Sequence, residues 1–151
     1  MPFVKITCEK TQNHIFINDF LFEKIRVWIA YQTFFDFGVR YEKFRAIEYV
    51  SLPEAEKTKL YNEFYAKADD MVYSGLITDG IIYFCIGSIK HGHTDSETCS
   101  DIYSVYKRQK SDLSDILKEN IDVTNAFFNI MRECIKNNSE LRWELCPNSI
   151  V

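Results

Sequence analysis

The sequence predicts a predominantly helical α+β domain with a small antiparallel sheet, formed by an N-terminal hairpin and a C-terminal strand. Three observations carry this prediction. Only 5 Gly and 3 Pro punctuate 151 residues, which favours long helices over a many-turned all-β chain. Apolar residues recur at helical spacing in several windows between Asp19 and Asn137. At the two ends, short β-branched and aromatic runs, or strict alternation, replace that period. An all-α bundle is the alternative. With 46% hydrophobic residues, and 12 Phe, 9 Tyr and 2 Trp among them, the chain has ample material for a core. A chain of this length buries roughly 70% of its unfolded surface. No repeat, low-complexity tract or Gly/Ser/Pro-rich linker interrupts residues 1–151, so one domain is expected.

Phe3 to Cys8 and His14 to Ile17 flank the polar segment Glu9 to Asn13 and read as a hairpin. Asn18 or Asp19 then offers a side-chain acceptor to the first free N–H groups of a helix running to about Phe37, where Gly38 supplies a left-handed stop. This helix is apolar on nearly every side. Leu21, Ile25, Trp28, Ile29 and Phe35 keep one stripe, while Phe20, Phe22, Val27, Tyr31, Phe34 and Phe37 fill the opposite face. Such a helix is buried in a core or packed on a partner. A shorter helix, about Val39 to Tyr49, follows with Tyr41, Phe44 and Ile47 on one side.

Ser51-Leu52-Pro53-Glu54 has the form of a capping box, with Pro53 tolerated in a first helical turn. The helix it opens carries Leu60, Tyr61, Phe64, Tyr65, Ala68, Met71 and Val72 on one stripe and ends near Gly75. The next run, Leu76 to Gly87, is ambiguous. Asp79-Gly80 suits a hairpin turn, whereas the all-apolar Ile81 to Ile86 also suits a buried helix; the turn signal tips the reading towards strand. Thr94-x-x-Glu97 resembles a second capping box, opening a helix to about Lys110 with Cys99, Ile102, Tyr103 and Tyr106 inward. A short helix around Asp112 to Glu119 and a longer one from Asp122 to about Asn137 follow. Glu140 to Cys146 alternates strictly, reads as a half-buried strand ended by Pro147, and is a natural partner for the hairpin.

Charge excludes some functions. The formal net charge is −4 with Lys and Arg interleaved among Asp and Glu, so no basic stripe exists to displace counterions from a nucleic acid. The longest apolar run, Ile81 to Ile86, falls far short of the ~20 residues that cross a bilayer, and the N-terminus lacks a signal-peptide pattern. Cys8, Cys85, Cys99, Cys134 and Cys146 are odd in number and widely spaced, which suits a reducing compartment such as the cytoplasm rather than a disulfide framework or a zinc knuckle. A tilt towards Ile, Lys, Asn, Phe and Tyr is that of an A/T-rich coding sequence, as in a virus, a phage or a low-GC microbe.

Local chemistry has one place to reside, Lys90 to Cys99. His91 and His93 share one side of an extended segment and, with Asp95, could begin a metal shell. Against this, Thr94, Asp95 and Glu97 are residues that caps and helix dipoles use. Cys99 in a first helical turn with His93 nearby has the outline of a nucleophile and base, but Cys99 also starts an apolar stripe. Gly75, Gly80, Gly87 and Gly92 match no phosphate-cradling motif, and no cofactor is expected.

The aromatic surplus is what simple core packing explains least, because aromatics anchor interfaces. Trp28, Tyr31 and Phe35 on the first helix, and Tyr61 and Tyr65 on the long helix, are the candidate partner-binding residues. The functional expectation is a non-catalytic module that binds another protein, or a second copy of itself, in the manner of an inhibitor, immunity factor or host-modulating viral protein. A metal-dependent enzyme or sensor centred on His91-x-His93 is the alternative.

Overall fold

The computed structural model describes residues 2–146; Pro147, expected to end the last strand, lies outside them. The described chain is helical α+β. β1 (Phe3–Cys8) and β2 (His14–Asn18) form the hairpin, followed by α1 (Asp19–Thr33), α2 (Phe35–Ala46) and a 3₁₀ turn (Ile47–Tyr49). Next come α3 (Glu54–Tyr73), α4 (Asp79–Ile86), β3 (His91–Thr94) and α5 (Ser96–Gln109). A second 3₁₀ turn (Lys110–Asp112), α6 (Asp115–Glu119), α7 (Ile121–Lys136) and β4 (Leu141–Cys146) complete it.

The sheet excludes the all-α alternative. Its strand order is β2-β1-β4-β3 with antiparallel neighbours throughout, so the two ends of the chain meet at its centre. β1 faces β4 in the register Val4 to Leu145, Ile6 to Trp143 and Cys8 to Leu141. Alternation sends Val4, Ile6, Cys8, Ile17, Leu141 and Trp143 inward, where all are buried. α7 packs on β1 and β2, and α5 packs on α7. The hairpin, the Asn18 cap and the C-terminal strand stand as the sequence predicts, and Asn18 Oδ1 accepts a hydrogen bond from the Leu21 N–H at 3.0 Å.

Five expectations are corrected. The first helix ends at Thr33 rather than Phe37, with Phe34 extended at φ −158°, and α2 starts at once. Gly38 is no stop: it is buried inside α2, where a Cβ would fall 2.5 Å from Tyr31 Cγ, so the missing side chain lets α2 fold back on α1. Residues Asp79–Ile86 form a helix, not a strand, because Ile81, Ile82, Phe84 and Cys85 are buried around its axis, and Gly80 abuts Thr98. The Ser51 box does not close. Helix α3 begins after Pro53, which occupies the cap position with no side-chain hydrogen bond. Thr94 is likewise not a cap, because it belongs to β3 opposite Leu141, and Asp95 Oδ1 takes the Thr98 N–H at 2.8 Å instead.

β3 is an element that local sequence signals do not announce. Its inward position opposite Trp143 is Gly92, where a Cβ would lie 2.2 Å from Trp143 Cζ2. The indole of β4 therefore fills the space that a side chain of β3 would otherwise occupy, and its Nε1 donates to the Ser88 carbonyl at 2.8 Å. The predicted end of α3 holds: Gly75 sits at φ +74°, and the Leu76 and Gly75 N–H groups bond to the Met71 and Val72 carbonyls at 2.9 and 3.0 Å, a Schellman closure.

Candidate interaction surface

His91 and His93 project together from the outer face of β3, as their spacing requires. Across the sheet His91 pairs with Glu144, and His93 with Arg142; Glu144 and Arg142 in turn pair with Lys5 and Thr7. His93 Nδ1 lies 3.3 Å from Glu140 Oε2, and Arg142 bonds to both Glu9 and Glu140. His14 shares this face, but three strand spacings away, or ~14 Å. Asp95 is not brought into the cluster. Its carboxyl is held by Thr98, whose backbone and side-chain hydrogen bonds keep it below the usual carboxylate range. Among the described residues, no group of three or more His, Cys, Asp or Glu is placed to hold a metal ion. The face is a solvated patch of mixed charge.

Cys99, raised as a possible nucleophile, is fully buried at the start of α5. Its thiol borders that of Cys134, whose ionisation is pushed up by the neighbouring Cys99 and by burial. Cys8, Cys85, Cys99 and Cys134 are all buried free thiols, and Cys146 is partly covered.

The five candidate partner residues separate into two places. Trp28 is 4% exposed, donates from Nε1 to the Asp112 carbonyl at 3.1 Å, and meets Tyr106 and Phe128 edge to face. It belongs to the core. Beside it, Tyr31 is half-buried and its hydroxyl donates to Glu42, whose carboxylate raises the phenol pKa to about 12. Phe35 is 70% exposed. Tyr61 and Tyr65 lie apart from these on α3, lining a separate groove of about 780 Å³ with Phe20, Arg45, Tyr49 and Lys90.

The base of that groove is a buried polar network that joins α1, α2 and α4. Arg26, with no exposed surface, donates to the Phe84 and Gly87 carbonyls at 3.2 and 2.7 Å and pairs with Glu23 at 2.9 Å. Arg45 reaches the Cys85 and Gly87 carbonyls at 2.6 and 3.1 Å and lies 3.2 Å from Glu23. Tyr41 donates its hydroxyl to Glu23 and stands 2.7 Å from the Cys85 carbonyl. Two guanidinium groups thus satisfy the last carbonyls of α4, a favourable place for positive charge. Burial opposes the Glu23 charge, but Arg26, Arg45 and the Tyr41 hydroxyl outweigh it and hold its carboxyl below the ordinary value. Burial pushes the Tyr41 phenol up, and the Cys85 thiol up to about 12.

On the other side of Phe44 a second, apolar groove of about 330 Å³ runs between α2 and α3. Phe44, Ile47 and Phe64 form its floor, and Val50, Leu52 and Leu60 stand at its edge, between 36 and 41% exposed. Sequence reasoning placed Phe44, Ile47, Leu60 and Phe64 on apolar helix faces but marked none of these six residues as partner-binding. The signal that could have found them is Tyr49-Val50-Ser51-Leu52, a connection between helices with three apolar residues among four, where connections are ordinarily polar. Comparison with protein families, with curated proteins and with solved structures finds no match to this chain.

Proposed function

We propose that this chain is a protein-binding module and that the face formed by α2, the Ile47–Tyr49 turn and α3 receives the partner. The supporting observation is the distribution of exposed large hydrophobics. Of the twelve among the described residues, eight fall between Phe35 and Leu76: Phe35, Tyr49, Val50, Leu52, Leu60, Tyr65, Tyr73 and Leu76. Val50, Leu52 and Leu60 adjoin one another around an apolar groove, and contiguous apolar surface of this kind marks interaction sites, whereas scattered residues do not. An apolar groove between two helices can receive the apolar stripe of a third, read at i, i+3 or i+4, and i+7. The partner's chemistry is therefore an amphipathic polypeptide.

Selection from a displayed random-peptide library tests this directly. Peptides enriched on the wild type should carry apolar residues at helical spacing and should lose binding to Leu52→Glu/Leu60→Glu. Failure to enrich any such peptide, or enrichment indifferent to the double variant, would overturn the proposal.

A further inference from the structure

Resting on that reading, we infer that the occupant of the α2/α3 groove is the same face of a second copy of this chain, in a two-fold dimer. Two features of the groove lead there, and a third sets the strength of the association. First, cavity and projections belong to one patch: the floor of Phe44 and Phe64 is recessed, while Val50, Leu52 and Leu60 stand exposed beside it. An isologous interface uses the same patch on both copies, so the exposed Val50, Leu52 and Leu60 of each copy are covered by the corresponding face of its mate.

Second, the two walls carry opposite charge. Lys43 stands on the α2 wall and Glu63 on the α3 wall, both exposed, and neither has an ion-pair partner within the described residues. The other wall cation, Arg40, is already paired with Asp36 at 3.0 Å. A two-fold axis running along the groove sets the α2 wall of one copy over the α3 wall of the other. Lys43 of each copy then meets Glu63 of its mate, twice per dimer.

Third, the overlap sets the strength. Helix α2 has 12 residues, ~18 Å, which limits the length over which it can lie on the mate's α3, and two adjacent helices span ~20 Å. That strip is on the order of 350 Å² per copy, or ~700 Å² in total, below the ~1,000 Å² at which specific stable interfaces begin, so the association is a weak one, to be sought across ~1–100 µM.

Sedimentation of the wild type across that range, beside Lys43→Glu and Glu63→Lys, tests the inference. The wild type should pass from monomer to dimer. Each single charge reversal places like charges at two contacts and should weaken dimerisation at least ~tenfold, whereas an equimolar mixture of the two variants should restore it as a heterodimer, visible by native mass spectrometry. Both positions are exposed, so melting temperatures should stay near that of the wild type. A wild type monomeric at ~100 µM, a dimer indifferent to both reversals, or a mixture that stays monomeric would each overturn the inference. A monomeric wild type that still captures library peptides would remove the second copy and leave the binding face standing; loss of both removes both.

Discussion

Helices α3 and α7 begin from similar sequence patterns and end in different environments. α7 has 16 residues and buries Thr124, Phe127, Phe128, Ile130, Met131 and Cys134. α3 is longer at 20 residues and buries only Phe64, Ala68 and Met71. The difference lies in what each packs against. α7 is held between the inner face of the sheet and α5, whereas the main partners of α3 are α2 and the Ile47–Tyr49 turn. Leu60, Tyr61 and Tyr65, three of the seven residues of the predicted α3 stripe, thus stay partly or largely open to solvent. The comparison teaches that an amphipathic stripe records how much apolar surface a helix carries, while the surrounding fold determines how much is left for a partner.

The contrast can be broken from the core outward. Trp28→Ala removes an indole packed on Phe128 and Tyr106 and a hydrogen bond to Asp112, so it should cost ~3–5 kcal/mol in denaturant unfolding. A loss under ~1 kcal/mol would show that the α1 core is not closed as described.

Gly92→Ala should cost ~1–3 kcal/mol, because the added methyl collides with the Trp143 ring, the centre of the sheet's inner face. A red-shifted Trp emission accompanying that loss would locate the damage there. An unchanged stability would mean that β3 does not lie over the indole.

Glu23→Gln should cost ~1–3 kcal/mol at neutral pH by leaving Arg26 and Arg45 without their carboxylate. The folded-state pKa of Glu23 lies below its ordinary value, so its contribution is complete above ~4.3 and disappears as pH falls through the lower folded value. The stability gap between variant and wild type should therefore narrow as the solution is acidified below that point. A gap that is flat from neutral to acid pH would place the effect in packing instead of charge.

At the other extreme, Leu60→Ala removes an exposed side chain and should change unfolding free energy by less than ~0.5 kcal/mol. The same variant should weaken both peptide capture and self-association. If it instead unfolds the chain as Trp28→Ala does, then α3 is as much core as α7 and the contrast fails.

Much of the fold was legible without coordinates. The hairpin, the Asn18 cap, the Gly75 closure, α7 and β4 rest on signals contained within a few residues: alternation, a capping side chain, a glycine at positive φ, a repeat near 3.6. The candidate site was less legible. The aromatic surplus pointed to Tyr61 and Tyr65, which line the neighbouring groove, and to Trp28, which the core consumes, and it passed over Val50, Leu52 and Leu60.

By itself, then, the sequence determined the class of fold, most of the helices and the strand character of the two ends, because those follow from the period of apolar residues and local hydrogen bonding. Only tertiary structure decided that Asp79–Ile86 is a helix, that Gly38 and Gly92 make room for Tyr31 and Trp143, and that Arg26 is buried against the carbonyls of α4. The physical reason is common to all three. A short apolar run, a glycine or an arginine is compatible with several local conformations, and the choice is made by volume and charge supplied from residues distant in sequence.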